Sequence, residues 1–79
     1  VFVSGQVRTP GVVRLRSETS ILQLIPMVGG FSEWANEKKI LVIRREGSQD
    51  KRHTVNYKRI VDGKDPNFIL KSGDTVIVP

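Results

Sequence analysis

No cysteine occurs among the 79 residues, which excludes disulfides, thiolate metal sites and cysteine nucleophiles together. The same absence says little about compartment, because a chain this short can lack cysteine by chance. Histidine and tryptophan each occur once, as His53 and Trp34. A two-histidine metal site is therefore excluded, and a catalytic triad has one residue to draw on for its base. A strand-surface position is expected for His53. Neither glycine-bearing stretch, SGQVRTPG or MVGGFS, carries the Lys-Ser or Lys-Thr pair that opens the helix of a phosphate cradle, so nucleotide hydrolysis is set aside. Asp62 and Asp65 fall in segments of loop composition, where neither carboxyl has the burial that an acid–base pair requires. No apolar run approaches the roughly 20 residues that span a bilayer. The chain starts at Val1 inside a strand-like run, without Met or a leader, and is expected to be a piece of a longer protein.

What is present is a moderately apolar, basic chain. Apolar residues make up 38%, a globular proportion, and one small domain spanning 1–79 is expected, hiding roughly 60% of its unfolded surface. Net charge is +5, which in principle favours polyanionic partners. The 13 lysines and arginines are scattered along the chain, however. A solvated surface is the expected reading and no nucleic acid is expected as partner; a weak, salt-sensitive DNA-associated module is the last-ranked alternative.

Periodicity then supplies the elements. Val1, Val3 and Val7 alternate with Phe2, Ser4 and Gln6 as a first, half-buried strand, with Gly5 a bulge or close-approach point. Thr9, Pro10 and Gly11 mark a turn, and Val12–Leu15 returns as a second strand. Thr19 is expected to cap a helix whose apolar face is Ile21, Leu22, Leu24, Ile25 and Val28. Pro26 should kink or tighten its last turn, and Gly29 or Gly30 should close it. Phe31 and Trp34, three apart, are expected on one short helical turn. The run Ile40–Ile43 reads as a central strand covered on both faces, paired through polar turn residues 46–50 with a strand holding His53, Val55 and Tyr57. A brief helical turn over Tyr57–Val61 and a final strand, Thr75–Val78, complete the chain. The fold class is α+β: a β-grasp (ubiquitin-like) with a mixed five-stranded sheet packed on one helix, its first and last strands parallel because a helical crossover permits that geometry.

Read together, GQVRTPGVV, MVGGFSEWAN, KKILVIRREG, YKRIVDG and LKSGDTVIVP resemble the soluble-ligand-binding β-grasp (SLBB) domain of bacterial outer-membrane polysaccharide export proteins. The similarity covers almost the whole chain and preserves the order of its parts. It implies a non-enzymatic module on the periplasmic face of the outer membrane, in a membrane-associated parent. Its partners would be other domains and copies of that parent, stacked into a ring, and an exported polysaccharide, acidic or neutral. It implies no cofactor and no metal. Pro26 departs from the family's usual continuous helix.

The candidate ligand contacts are Trp34, Glu33, Asn36, Arg44 and Arg45. A flat indole can stack on the apolar face of a sugar while Glu33 and Asn36 exchange hydrogen bonds with hydroxyls. The competing and preferred reading makes Trp34 a cap on one end of the core. Arg44 and Arg45 point to opposite faces of their strand. One can pair with Asp74 or Glu46 while the other meets a neighbouring subunit or an acidic sugar, although plain solvation is the ordinary fate of either. A carbohydrate or other small-ligand receptor, with Trp34 and the basic residues in one pocket, is the alternative to the assembly module.

Overall fold

The computed structural model describes residues 1–79. Its elements are β1 (Phe2–Gly5), β2 (Gly11–Val12), β3 (Thr19–Ser20), α1 (Ile21–Met27), β4 (Ile40–Glu46), β5 (Gln49–Val55), α2 (Tyr57–Val61), β6 (Ile69–Leu70) and β7 (Thr75–Val78). Five strands form one sheet in the order β2-β1-β7-β4-β5. β1 and β7 run parallel, with Val3 beside Val76, while β7–β4 and β4–β5 are antiparallel. This is the β-grasp arrangement the pattern implied. β7 rather than β4 holds the exact middle of the sheet.

Strand parity decides what each residue faces. Val3, Ile40, Val42, Val55, Val76 and Val78 alternate onto the side that carries α1, and with Ile21, Leu24, Ile25 and Val28 they make the buried core. The opposite side is only partly covered: Leu41, Ile43 and Ile77 remain half-buried, so the expectation of a strand hidden on both faces is corrected to one face.

The helix begins one residue later than Thr19 would have it. Ser20 is the cap, its Oγ accepting from the Gln23 N–H at 3.3 Å while Gln23 Oε1 accepts from the Ser20 N–H at 2.9 Å. This reciprocal pair satisfies two of the free donors at the helix start. Thr19 instead pairs with Leu70 in a two-strand side ladder, β3–β6. At the other end Gly30 N–H donates to Ile25 O at 2.9 Å and Gly29 N–H to Pro26 O at 3.1 Å, the two bonds of a Schellman ending. Both glycines have positive φ. Pro26 therefore sits in a tightened last turn of a short helix rather than at a kink in a long one.

Three boundaries also differ from expectation. The second strand stops at Val12, although Val13 N–H still donates to Val1 O at 2.8 Å. The β4–β5 hairpin closes more tightly, Glu46 facing Gln49 across two loop residues, with Gly47 at φ 63 where a type II′ turn needs glycine. Tyr57 belongs to α2, capped by Asn56, and not to β5. At the end of β1, Gly5 lies against Val78 with φ 91, and an added Cβ would overlap the Val78 carbonyl oxygen. Only glycine fits that approach.

Candidate functional site

The segment between α1 and β4 is irregular yet tied down along its length. Phe31 bridges to Val7. Ser32 donates its N–H to Gln6 O at 3.0 Å and its hydroxyl to Gln6 Oε1 at 2.8 Å. Farther on, Asn36 N–H donates to Pro79 O at 2.6 Å, and Glu37 O accepts from the Tyr57 N–H at 2.9 Å. Asn36 Oδ1 accepts from the Lys38 N–H at 3.2 Å, so its side chain holds the turn leading into β4.

Between these ties, Ala35 N–H bonds Ser32 O at 3.2 Å and lifts Glu33 and Trp34 to an apex. The two aromatics part company there. Phe31 turns inward, packing edge-on against Tyr57 at 4.9 Å between ring centroids and against the core. Burial, together with the Glu37 carboxylate, raises the Tyr57 phenol above its ordinary value. Trp34 turns outward and is 81% exposed, which overturns the core-cap reading. Spacing by three aligns rings only on a helix, and this segment is a turn.

Of the five candidate contacts, the fold brings together Glu33, Trp34 and the turn-holding Asn36. It separates them from the two arginines, which lie four and five residues into β4, about 13–17 Å beyond Ile40 at strand rise. Arg44 shares the parity of Ile40 and Val42 and is drawn inward. Its Nε and Nη2 reach Asp74 Oδ1 and Oδ2 at 3.0 and 2.7 Å, and Nη2 also donates to Ile69 O at 3.0 Å. The guanidinium lies 5.1 Å from the Phe68 ring centre. Side-chain exposure is 13% for Arg44 and 1% for Asp74, so this is a structural ion pair and not a solvated arginine.

Burial pushes the Asp74 carboxyl up, but the hydrogen bonds from Arg44 and from the Lys71 N–H outweigh it and hold the group below its ordinary value. The bond to Asp74 correspondingly raises Arg44. Arg45 is exposed, touching only Gly47 O at 3.4 Å. His53 departs from a surface position. It lies with its ring centre 5.4 Å from that of Phe68, and its buried Nε2 has no hydrogen-bond partner.

The surface has three shallow cavities, and none is lined by any residue of the Trp34 turn. The indole is thus an open platform, with no ring or cation stacked on it. Sequence reasoning named Trp34 an exposed-site candidate with Glu33, Asn36 and Glu37 beside it but preferred the core cap, and this polar flank was the signal that weighed the other way.

A family model described as SLBB domain matches residues 1–53. The chain belongs to the SLBB domain family. Members of that family are ligand-binding, non-catalytic domains associated with periplasmic polysaccharide-export proteins. No curated protein matches the sequence. β7, at the middle of the sheet, lies beyond the matched stretch, so the fold uses residues on both sides of its boundary. No helix is long and apolar enough to cross a membrane, and no three His, Cys, Asp or Glu side chains gather as a metal site.

Proposed function

We propose that this domain is a non-catalytic, periplasmic module of a polysaccharide-export protein, that copies of its parent assemble into a ring, and that the Trp34 turn meets the exported polymer. The single observation that carries the ligand contact is an indole 81% exposed on a turn fixed at both ends. A flat ring on a backbone already fixed gains stacking area on a sugar face with the turn itself needing no ordering at the moment of binding. Glu33 stands beside it as hydrogen-bond acceptor for hydroxyls.

That carboxylate also sets a preference. Arg44, remote from this turn, is already taken by Asp74 and offers no counter-charge there. Neutral sugar faces are therefore favoured over uronates at Trp34. The test is to titrate the chain with neutral and uronic oligosaccharides while following indole fluorescence and amide shifts. Neutral oligomers are expected to perturb residues 32–36 at millimolar concentration, and Trp34→Ala to abolish the amide shifts, the readout that survives loss of the one indole. Flat titrations with both classes would overturn the reading. The ring is tested separately, by imaging the full-length parent for closed oligomers.

A further inference from the structure

We propose that the helix-free face of the sheet docks a protein surface with an apolar centre and a carboxylate rim, different from a second copy of this chain. The register places Val12, Phe2, Thr75 and Ile43 side by side across four strands, with Ile77 and Leu41 adjacent in the next row between Ser4 and Thr54. Phe2 is 53% and Val12 68% exposed, and Leu41, Ile43 and Ile77 lie outside the core cluster. A sheet with one wet face normally alternates polar residues onto that side. Here five large apolar side chains share it, and contiguous exposed apolar surface of this kind marks an interaction site.

The patch continues into an open groove of about 420 Å³ lined by Val1, Phe2, Val12, Val13 and Leu15. Neither sheet edge offers an easier route: β2 is two residues long, and β5 carries Asp50, Lys51 and Arg52 along its exposed length. Short or charged edges resist strand addition, so a partner docks face-on.

The rim selects its charge. Arg14 lines the groove, while Arg45 shares the parity of Ile43, and Arg52 is Ile43's cross-strand neighbour. None of the three forms an ion pair, since the pairs in this molecule are Arg44–Asp74, Lys51–Glu46 and Arg59–Asp65. Asp50 stands opposite Arg45, and Glu18 shares a neighbouring cavity with Arg14 without pairing with it. Two copies meeting through this face would set these arginines against one another, in a chain already at net +5. Complementarity therefore points to carboxylates around an apolar centre on the partner. The inference stands independently of the saccharide reading, which uses a different surface.

Two synthetic peptides test it on the isotope-labelled 79-residue chain, one alternating leucine with glutamate and one leucine with lysine. The acidic peptide is expected to bind at least about tenfold more tightly at low salt, with affinity falling as salt rises. Shifts should centre on Phe2, Val12, Leu41, Ile43 and Ile77. The triple variant Arg14→Glu, Arg45→Glu, Arg52→Glu should reverse the preference. If that variant does not fold, the salt dependence of the native chain decides alone. Equal affinities, no response at millimolar peptide, or shifts centred on the Trp34 turn would overturn the proposal. So would face residues whose signals move when the chain alone is diluted, because the occupant would then be a second copy.

Discussion

The two sides of the sheet are made from the same strands and similar residues, yet they have opposite fates. On the helix side Ile40, Val42 and Val76 are fully buried; on the other, Leu41, Ile43 and Ile77 are only half-covered. Alternation along β4 separates the two sets by a single residue step. The comparison teaches that hydrophobicity in a strand reports demand for cover and not its supply. A run such as Ile40–Ile43 is compatible with a second layer within the chain or with one supplied by a partner, and here the chain supplies only one.

The helix side is also where the largest single energetic stake lies. Removing one member of a buried ion pair leaves the other charged and dry, which costs about 3–5 kcal/mol. Asp74→Ala should therefore destabilise the fold by about that amount in denaturant titrations, since Arg44 would be left beneath Phe68 with Ile69 O as its remaining partner. The pair also gives stability a pH dependence of definite sign. The Asp74 carboxyl is held below its ordinary value in the folded chain, so its contribution is present above the unfolded-state value of about 3.9. It is lost as pH falls through the lower folded value. Acid should weaken the native chain more steeply between about pH 5 and pH 2 than it weakens Asp74→Asn. Equal slopes would show that the carboxylate contributes no linkage.

Much of this contrast was readable in the residues themselves. Parity along β4 puts Arg44 with Ile40 and Val42, and parity along β5 puts His53 with Val55, so inward positions for both follow from a period of two. The parallel β1–β7 pair was legible from the helical crossover that permits it, and the Gly29-Gly30 helix ending from a strong local signal with one backbone solution. The capping residue was legible too, in Ser20-x-x-Gln23, though the neighbouring Thr19 offers the same chemistry one step earlier. The β3–β6 ladder was not legible, because two residues per strand are too few to show a period. Nor was the outward indole, whose direction depends on where Gln6, Pro79 and Tyr57 fasten the turn. Those ties connect parts of the chain far apart in sequence.

A matched pair on one strand breaks the comparison most directly. Ile40→Ala removes a fully buried side chain from the core and should cost about 2–5 kcal/mol. Ile43→Ala, three residues on and facing the other way, removes a half-buried one and should cost about 1 kcal/mol in the isolated chain. Chemical denaturation of both variants gives the difference. Near-equal costs would mean that the open face is covered from within this chain, and the contrast between the two sides would collapse.

The smallest effects sharpen it further, through a change that keeps shape and alters only polarity. Val42→Thr places a hydroxyl in the core, where an unmet hydrogen bond costs about 1–3 kcal/mol. Val12 is 68% exposed, and the same substitution there should leave stability within about 0.5 kcal/mol, because water already reaches the site. What Val12→Thr should change is the open face's affinity for an acidic apolar peptide, since a hydroxyl must then be dehydrated on docking. A variant of native stability with weakened docking would separate the two uses of valine in one sheet: one valine is covered by folding, the other is left for a partner to cover.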